Sequence, residues 1–253
     1  MPDSPLPHPQ GSVSWLDTMA AAPDELLAFY QPLLGWSGEA APDDPNRYAI
    51  QEVSGGKAVA AVGALPPGAP ESPWTGYFAV DDADATAARM ADLGGAVVTE
   101  PADVGPLGRF ALGADPGGAP FGLWQAGQFP GFQVFGEPGS LFWLELLTTE
   151  GKASAAFYGA LLGAEVQELA ELPGTYWTLH VDGQPRAGIF RVDATPANQW
   201  RPYFQVADVD ASVAAAVAAG ARATDPPMDS PFGRMAGLID PSGREFRLAT
   251  PPA

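Results

Sequence analysis

The chain contains one sequence pattern twice, and this duplication limits its fold more than any other feature. Residues 12–36 read SVSWLDTMAAAPDELLAFYQPLLGW, and residues 140–164 read SLFWLELLTTEGKASAAFYGALLGA. Five residues of the first copy recur 128 positions later, namely Trp15, Phe29, Tyr30, Leu34 and Gly35. A repeat of this length indicates two copies of one domain.

The duplication extends almost to the end of the chain. Residues 74–80, WTGYFAV, return as residues 200–206, WRPYFQV, and the turn DPGG at Asp115 returns as DPSG at Asp240. The displacement falls to 126 and then to 125, so the first copy carries three extra residues, which we expect in loops. We therefore predict a flexible tail at residues 1–11, a first module at 12–126, a linker at 127–139 and a second module at 140–253.

The composition favours a globular protein with short elements. Of the 253 residues, 46% are hydrophobic and 17% are charged, and 28 Pro with 30 Gly indicate many turns. A net charge of −18 repels phosphate backbones and anionic lipids, so we expect neither nucleic acid nor a membrane as a partner. The absence of Cys excludes disulfides and thiolate metal sites. No signal peptide or membrane-spanning apolar run is recognisable, which favours a cytoplasmic protein.

Side-chain periodicity predicts two βαβββ units in each module. In the first unit, a strand at residues 13–18 precedes a helix that begins at Pro23 and ends at Gly35. A further short strand is expected around residues 37–39. The second unit has an Ala-rich helix at residues 82–93, and both units recur in the second module. The predicted fold class is therefore α+β with four βαβββ units.

This pattern resembles the vicinal oxygen chelate superfamily, which includes glyoxalases, bleomycin-resistance proteins and extradiol dioxygenases. The resemblance rests on F-Y-x-x-L-L-G at Phe29 and Phe157, on V-x-D before the second helix of each module and on D-P-x-G before its last strand. It covers residues 12–250 and looks most like a two-module actinobacterial branch described as hydroxylases or glyoxalase-like proteins. In that superfamily, curled mixed sheets form cups that hold a divalent metal, so the resemblance implies two tandem modules with such cups.

The resemblance also indicates which positions would hold that metal. Alignment of the motifs places the ligands of the family at Trp15, Thr75, Gly122, Trp143, Arg201 and Arg247, with another near residues 60–63 and 186–188. None of the six named residues is a usual metal ligand, because an indole only donates, a guanidinium stays charged and glycine has no side chain. We therefore expect no metal site and no cofactor.

Aromatic and basic residues on the predicted strands are candidates for ligand binding: Trp15, Tyr77, Trp143, Tyr203, Arg201 and Arg247. The two tryptophans can stack on a flat ligand, or they can fill the core. The two tyrosines can bond a carbonyl group, or they can be tied to the backbone. The two arginines would make the second module a site for an anion, unless Glu145 already pairs with Arg247.

Three residues are candidates for acid and base catalysis. Asp17 and Glu145 follow the two tryptophans by two positions, and a carboxylate on a buried face is costly without a partner or a role. A structural salt bridge is the alternative for both. His180 is the one histidine within the fold and the obvious general base, although a structural role is equally compatible with its position.

Three functions are compatible with these features. The favoured one is a metal-independent protein, similar to glyoxalases and bleomycin-resistance proteins, that binds a small aromatic or amphipathic secondary metabolite. The second is a metal-free enzyme that uses Asp17 or Glu145 as acid or base. The third and least supported is a metal-dependent glyoxalase or dioxygenase. The sequence leaves turnover open and predicts a small-molecule ligand or substrate as partner, with a homodimer as an option.

Overall fold

The computed structural model describes residues 8–69, 71–172, 174–195 and 198–252. Residues 1–7 of the predicted tail lie outside this part of the chain, whereas Gly11 donates its backbone N–H to the carbonyl of Ala79. The helices are α1 (Pro23–Leu34), α2 (Ala83–Ala88), α3 (Gly151–Leu162) and α4 (Val209–Ala218). The strands are β1 (Val13–Ala20), β2 (Ala49–Val53), β3 (Lys57–Ala64), β4 (Thr75–Ala79), β5 (Ala96–Asp103), β6 (Gly108–Ala114), β7 (Pro120–Ala126), β8 (Leu141–Thr148), β9 (Glu165–Glu168), β10 (Tyr176–Val181), β11 (Gln184–Arg191), β12 (Gln199–Gln205), β13 (Arg222–Ser230), β14 (Gly233–Ile239) and β15 (Glu245–Thr250).

Local sequence signals determine where α1 begins and ends. Pro23 starts the helix, and Asp24 and Glu25 lie in its first turn, where the helix dipole favours acidic side chains. Gly35 ends the helix with a left-handed φ of 68°, and its N–H bonds the carbonyl of Gln31. Both predicted ends are therefore confirmed. Among the described helices, none combines the length and apolar character that a membrane span requires.

The helix predicted at residues 82–93 is shorter than expected. The side chain of Asp82 accepts the backbone N–H of Ala85 and so caps α2, but the regular helix ends at Ala88. A separate 3-10 turn follows at Ala91–Leu93. Backbone bonding here tightens from i→i+4 to i→i+3, as is common at helix ends, and the Ala-rich pattern carries no signal for that change.

The strands form two sheets, one from each module. The strand orders are β2-β3-β1-β4-β7-β6-β5 and β13-β14-β15-β12-β8-β11-β10-β9. In every βαβββ unit the last strand lies parallel beside the first: β3 on β1, β7 on β4, β11 on β8 and β15 on β12. The strand expected around residues 37–39 is reduced to a single bridge between Ser37 and Glu52. The predicted α+β class with two tandem modules is confirmed, and the first of the four units has this bridge in place of one strand.

Contacts divide the chain into two compact units, and each unit combines part of one module with part of the other. The first unit contains the described residues up to Trp15 together with Thr75–Gly131 and Leu144–Trp200. The second unit contains Leu16–Trp74, Phe132–Trp143 and the described residues from Arg201 onward. A helix from one module therefore packs in the same unit as a turn from the other module.

Repeated aromatic residues form the centre of each unit. In the first unit, the ring of Tyr158 lies 5.1 Å from that of Trp200 and 5.7 Å from that of Phe78. In the second unit, Tyr30 lies 5.4 Å from both Trp74 and Phe246. The phenol oxygen of each tyrosine accepts the indole N–H of the tryptophan in its unit, at 3.0 and 3.1 Å. The repeat thus preserves a core contact rather than a chemical site.

The two Asp-Pro turns have a second role that turn geometry alone does not explain. One carboxylate oxygen of Asp115, and likewise of Asp240, accepts two backbone N–H groups of its own turn. The other oxygen of Asp115 accepts the hydroxyl of Ser154 on α3, and that of Asp240 accepts the phenol of Tyr30 on α1. Burial raises the pKa of both carboxyl groups. These turns therefore fasten a helix to a sheet in each unit.

Candidate functional site

The predicted site residues lie on strand faces that alternate with the core. Arg247 on β15, for example, stands between Phe246 and Leu248, which are fully buried, and the ring of Phe246 contacts Tyr30 on α1. Side chains alternate across a strand, so Arg247 points to the opposite face of the sheet. We call this the site face. In the second unit it also carries Arg201 and Tyr203 of β12.

On the site face of the second unit, a row of residues centres on Arg247. Its Nη2 donates to Asp225 on β13 at 2.6 Å, and its guanidinium lies 5.5 Å from the centre of the Tyr203 ring. Tyr203 is the direct neighbour of Arg247 on β12, and Gly237 is its neighbour on β14. The absent side chain of Gly237 leaves the space that the Asp225 carboxylate occupies. The carboxylate that pairs with Arg247 is therefore Asp225 rather than Glu145.

The guanidinium of Arg247 is only partly satisfied. Its Nε is buried and has no hydrogen-bond partner among the described residues. Arg201, two residues before Tyr203 on β12 and so on the same face, is buried, with its Nη1 3.9 Å from Glu245. Of the sequence-predicted residues, the structure thus brings Arg201, Tyr203 and Arg247 together in one unit.

The corresponding position in the first module is closed by an aromatic ring. Gly122 on β7 is the direct neighbour of Tyr77 on β4, as Arg247 is of Tyr203, so the predicted equivalence of Gly122 and Arg247 matches the strand register. A Cβ atom added to Gly122 would meet three ring carbons of Tyr77, the farthest, Cγ, at 2.6 Å. The ring of Tyr77 therefore fills the space that a side chain at residue 122 would need.

Asp17 on β1 is a buried carboxylate with a phenol partner. The hydroxyl of Tyr48 donates to its Oδ2 at 2.9 Å. Ala61 is its direct neighbour on β3. The ring of Tyr48 lies beside Gly63 on β3, where an added Cβ would come within 3.1 Å of its Cδ2. This pairing leaves no mark in the sequence, since Tyr48 precedes the first residue of β2 and no alternation places it on a face.

Glu145 and His180 both lie in the first unit but on different strands. Glu145 is buried on β8 and has Gly188 of β11 as its direct neighbour. His180 lies on β10, on the far side of β11, so its strand runs about 10 Å from that of Glu145. Its Nε2 lies 2.9 Å from the hydroxyl of Thr178. Glu145 and His180 therefore lie on strands that are not neighbours, and register does not bring them together as an acid and base pair.

The two tryptophans have different surroundings. Trp15 is buried, and its ring meets that of Phe129 edge-on at 4.9 Å, while Phe129 also contacts Trp124. Trp143 on β8 is half-buried. Trp15 therefore takes part in an aromatic cluster of the first unit, whereas Trp143 retains exposed ring surface.

The positions that the family resemblance assigns to metal ligands do not fit a metal ion. Gly122 has no side chain and its space is filled by Tyr77, and Arg247 presents a cation at the equivalent place. Across residues 8–69, 71–172, 174–195 and 198–252, no three His, Cys, Asp or Glu side chains come close enough together to hold a metal. Divalent metals in proteins need several such donors.

A shallow cleft of about 470 Å³ lies elsewhere, at the start of α3. It is lined by residues around Thr149 and Ala156 and by Arg191. It contains none of the predicted site residues. We therefore do not assign the site to it.

Comparison with known proteins gives the following matches. The sequence matches the model of the glyoxalase-like domain twice, at residues 15–124 and 143–249. CFP32 of Mycobacterium tuberculosis, whose name suggests a glyoxylase, is 36% identical over 250 residues, which cover 96% of this chain and 95% of that protein. The anthracycline biosynthesis protein DnrV of Streptomyces peucetius is 37% identical over 256 residues, which cover 94% of this chain and 92% of DnrV.

Two solved structures share the fold. The Mn(II)-bound glyoxalase of Novosphingobium aromaticivorans has a TM-score of 0.67 at 17% identity, covering 95% of this chain and 82% of its own. The 2,2',3-trihydroxybiphenyl 1,2-dioxygenase of Sphingomonas wittichii has a TM-score of 0.65 at 16% identity, covering 95% and 90%. At these identities the likeness extends to the fold alone.

Proposed function

The chain belongs to the glyoxalase-like family, and from this premise we propose that it binds a small aromatic molecule with an acidic oxygen and does so without a metal ion. The observation that carries the proposal is the state of Arg247. A guanidinium stands where the family resemblance implies a metal ligand, and one of its buried donors has no partner among the described residues. In this chain the positive charge at that position therefore belongs to Arg247, whereas the family resemblance implies a metal ion there.

The unpaired Nε donor of Arg247 favours the binding of a ligand oxygen. A buried donor without an acceptor costs about 1–3 kcal/mol, which a ligand oxygen would recover once a side-chain shift opens Nε to it. Asp225 occupies Nη2 and holds the guanidinium in place. A phenolate or carboxylate oxygen is the best acceptor, because hydrogen bonds to an ionised oxygen are about twice as strong as neutral ones.

Two aromatic side chains of this unit, Tyr203 and Trp143, favour a planar ligand. The ring of Tyr203 already packs against the guanidinium of Arg247. Trp143 keeps part of its ring exposed. Rigid aromatic rings offer a large apolar surface to a flat molecule at little entropic cost. Anthracyclines are planar, hydroxylated aromatic compounds, so the name of the relative DnrV supports a ligand of this chemical class.

A binding measurement on chelator-treated protein tests the proposal. The probe is alizarin, a dihydroxyanthraquinone with acidic phenols, and its binding is followed by quenching of Trp fluorescence. We expect Arg247→Met to weaken binding at least about tenfold, as the loss of one charge-assisted hydrogen bond requires. Arg222→Met is the matched control, because Arg222 is exposed on β13 and the change in net charge is the same. Equal affinities for both variants would refute the role of Arg247.

The second candidate function is a metal-free enzyme, and the pairing of Asp17 with Tyr48 favours it. A buried carboxylate that accepts a phenol hydrogen bond can take a proton from a carbon acid and return it. Glu145, also buried, occupies the equivalent position in the second module. If the protein is an enzyme, Asp17→Asn or Glu145→Gln will abolish turnover of a hydroxylated aromatic substrate while its affinity is retained. Binding without turnover in the wild type would leave the first function alone.

A further inference from the structure

The loop before β2 has an unusual backbone conformation at Arg47. Of the described residues other than glycine, only Arg47 and Asp182 have a left-handed φ, at 47° and 51°. Asp182 lies with Gly183 in the two-residue turn between β10 and β11, where this conformation is normal. Arg47 instead closes the turn of residues 44–47, a place where glycine is common. For a residue with a Cβ atom, the left-handed conformation is disfavoured about fivefold or more.

Contacts on both sides of Arg47 hold this turn. The carboxylate of Asp44 accepts the backbone N–H groups of Asn46 and Tyr48, each at 2.9 Å. The guanidinium of Arg47 donates to Asp24 on α1 at 2.6 Å. These two side chains are 51% and 74% exposed, so their ion pair is weak and is screened by salt. The turn therefore depends on an exposed ion pair to offset the conformational cost of Arg47.

This turn leads directly to the residue that contacts the buried carboxylate of Asp17. Tyr48 follows Arg47, and its hydroxyl donates to Oδ2 of Asp17 at 2.9 Å. Tyr48 itself is only part-buried, whereas Asp17 is buried. All residues of this arrangement belong to the second unit. The backbone direction set at Arg47 therefore decides whether the phenol of Tyr48 reaches Asp17.

The duplication provides an internal comparison for Tyr48. Its counterpart in the second module is Tyr176, and the strand register makes Phe190 the counterpart of Gly63. The ring of Tyr176 lies 6.0 Å from that of Phe190, whereas the ring of Tyr48 lies beside Gly63. The second module also replaces the residues that hold the turn, with Leu172 for Asp44, Thr175 for Arg47 and Lys152 for Asp24. The arrangement is therefore specific to the first module.

We propose that residues 44–47 and Asp24 form a latch that holds Tyr48 on Asp17, and that release of the latch exposes the Asp17 carboxylate to a small molecule. When the ion pair breaks, Arg47 returns to an ordinary φ, and the phenol of Tyr48 leaves Asp17. Access to Asp17 is what the second candidate function requires. The purpose of the latch rests on that proposed function, whereas its existence can be tested without it.

Acetylation of tyrosine hydroxyls by N-acetylimidazole, measured for each tyrosine by peptide mass spectrometry, tests the latch. We expect Arg47→Ala to raise the rate at Tyr48 about fivefold or more, because the left-handed turn loses its ion pair. Arg47→Gly should raise it less, since glycine adopts this φ without steric cost. The double variant Asp24→Arg with Arg47→Asp restores an ion pair and should return the rate to that of the wild type. About 1 M salt should accelerate the wild type and leave Arg47→Ala unchanged.

A second reagent tests whether release of Tyr48 opens Asp17. Water-soluble carbodiimide with glycinamide converts accessible carboxylates into amides, and the product at Asp17 is measured by the same mass spectrometry. We expect labelling of Asp17 to be about fivefold or more faster in Arg47→Ala than in the wild type. Faster acetylation of Tyr48 without faster labelling of Asp17 would overturn the proposal.

Controls separate local release from unfolding. Arg234→Ala is the matched control, because Arg234 also pairs with Asp210 in the same unit, and its rate at Tyr48 should equal that of the wild type. The fully buried Tyr30 reports on unfolding. A wild-type rate at Tyr48 in Arg47→Ala, or an equal rise at Tyr30, would overturn the latch. Neither reagent needs turnover, so loss of the second candidate function would leave the latch standing, and the reverse also holds.

Discussion

The closed position at Gly122 predicts a specific cost for adding a single methyl group. In Gly122→Ala, the new Cβ would overlap three ring carbons of Tyr77, one of them at 2.6 Å, where carbon atoms normally stay about 3.5–4.0 Å apart. The ring is rigid and buried, so it cannot move away as a flexible chain end can. Such overpacking costs about 1–3 kcal/mol. For a chain of this size, each kcal/mol lowers the Tm by about 2–4 °C.

A double-mutant cycle measured by urea unfolding isolates the contact. We expect Tyr77→Ala to relieve the clash, so the double variant should be more stable than the two single changes added together, by about 1 kcal/mol or more. Gly113→Ala on the adjacent strand β6 is the control, because the atom nearest its new Cβ is the thioether sulfur of Met90, at the end of a flexible side chain. If Gly122→Ala is as stable as the wild type, or if the free-energy costs of Gly122→Ala and Tyr77→Ala simply add in the double variant, the ring of Tyr77 does not close this position.

Three further predictions concern a buried arginine, a buried carboxylate and two glycines with positive φ. The buried guanidinium of Arg244 lies 3.9 Å from the buried carboxylate of Asp240, so Arg244→Ala leaves that charge without its cation and should cost about 3–5 kcal/mol in urea unfolding. Burial raises the pKa of Asp115, so the folded state binds more protons than the unfolded state. The stability of the wild type should therefore fall as the pH rises from about 3.9, the usual pKa of an Asp, through the raised pKa. Thermal unfolding should show a smaller fall in Asp115→Asn. Gly233→Ala, at φ 114° against the Thr250 carbonyl, should prevent folding, whereas Gly183→Ala, at φ 70° in open space, should cost about 1 kcal/mol by the same assay.

Much of the fold could be predicted because the duplication supplies its own alignment. The recurrence of Trp74 at Trp200 and of Asp115 at Asp240 identifies equivalent strands and turns from the residues alone. The strand register bears out the equivalence of Gly122 with Arg247. The repeat does not reveal why those residues recur, since Trp74 and Asp240 serve the core through contacts with a helix far away in sequence.

The details of the site could not be predicted in the same way. The partner of Arg247 is Asp225 on β13, a strand whose two register shifts and Pro-Pro sequence hide any alternation. The register between β10 and β11 shifts after Leu179, and the sequence of one strand does not reveal where its partner carries an extra residue. Side-chain partners between strands depend on register, which is set by tertiary structure.

The most direct test of the central claim is a crystal structure of chelator-treated protein with alizarin bound. The account predicts an alizarin oxygen within hydrogen-bond distance of the Arg247 guanidinium, with Asp225 still paired to Nη2 and no metal between ligand and protein. A metal ion that bridges alizarin to side chains of either module, or alizarin bound without contact to Arg247, would contradict it.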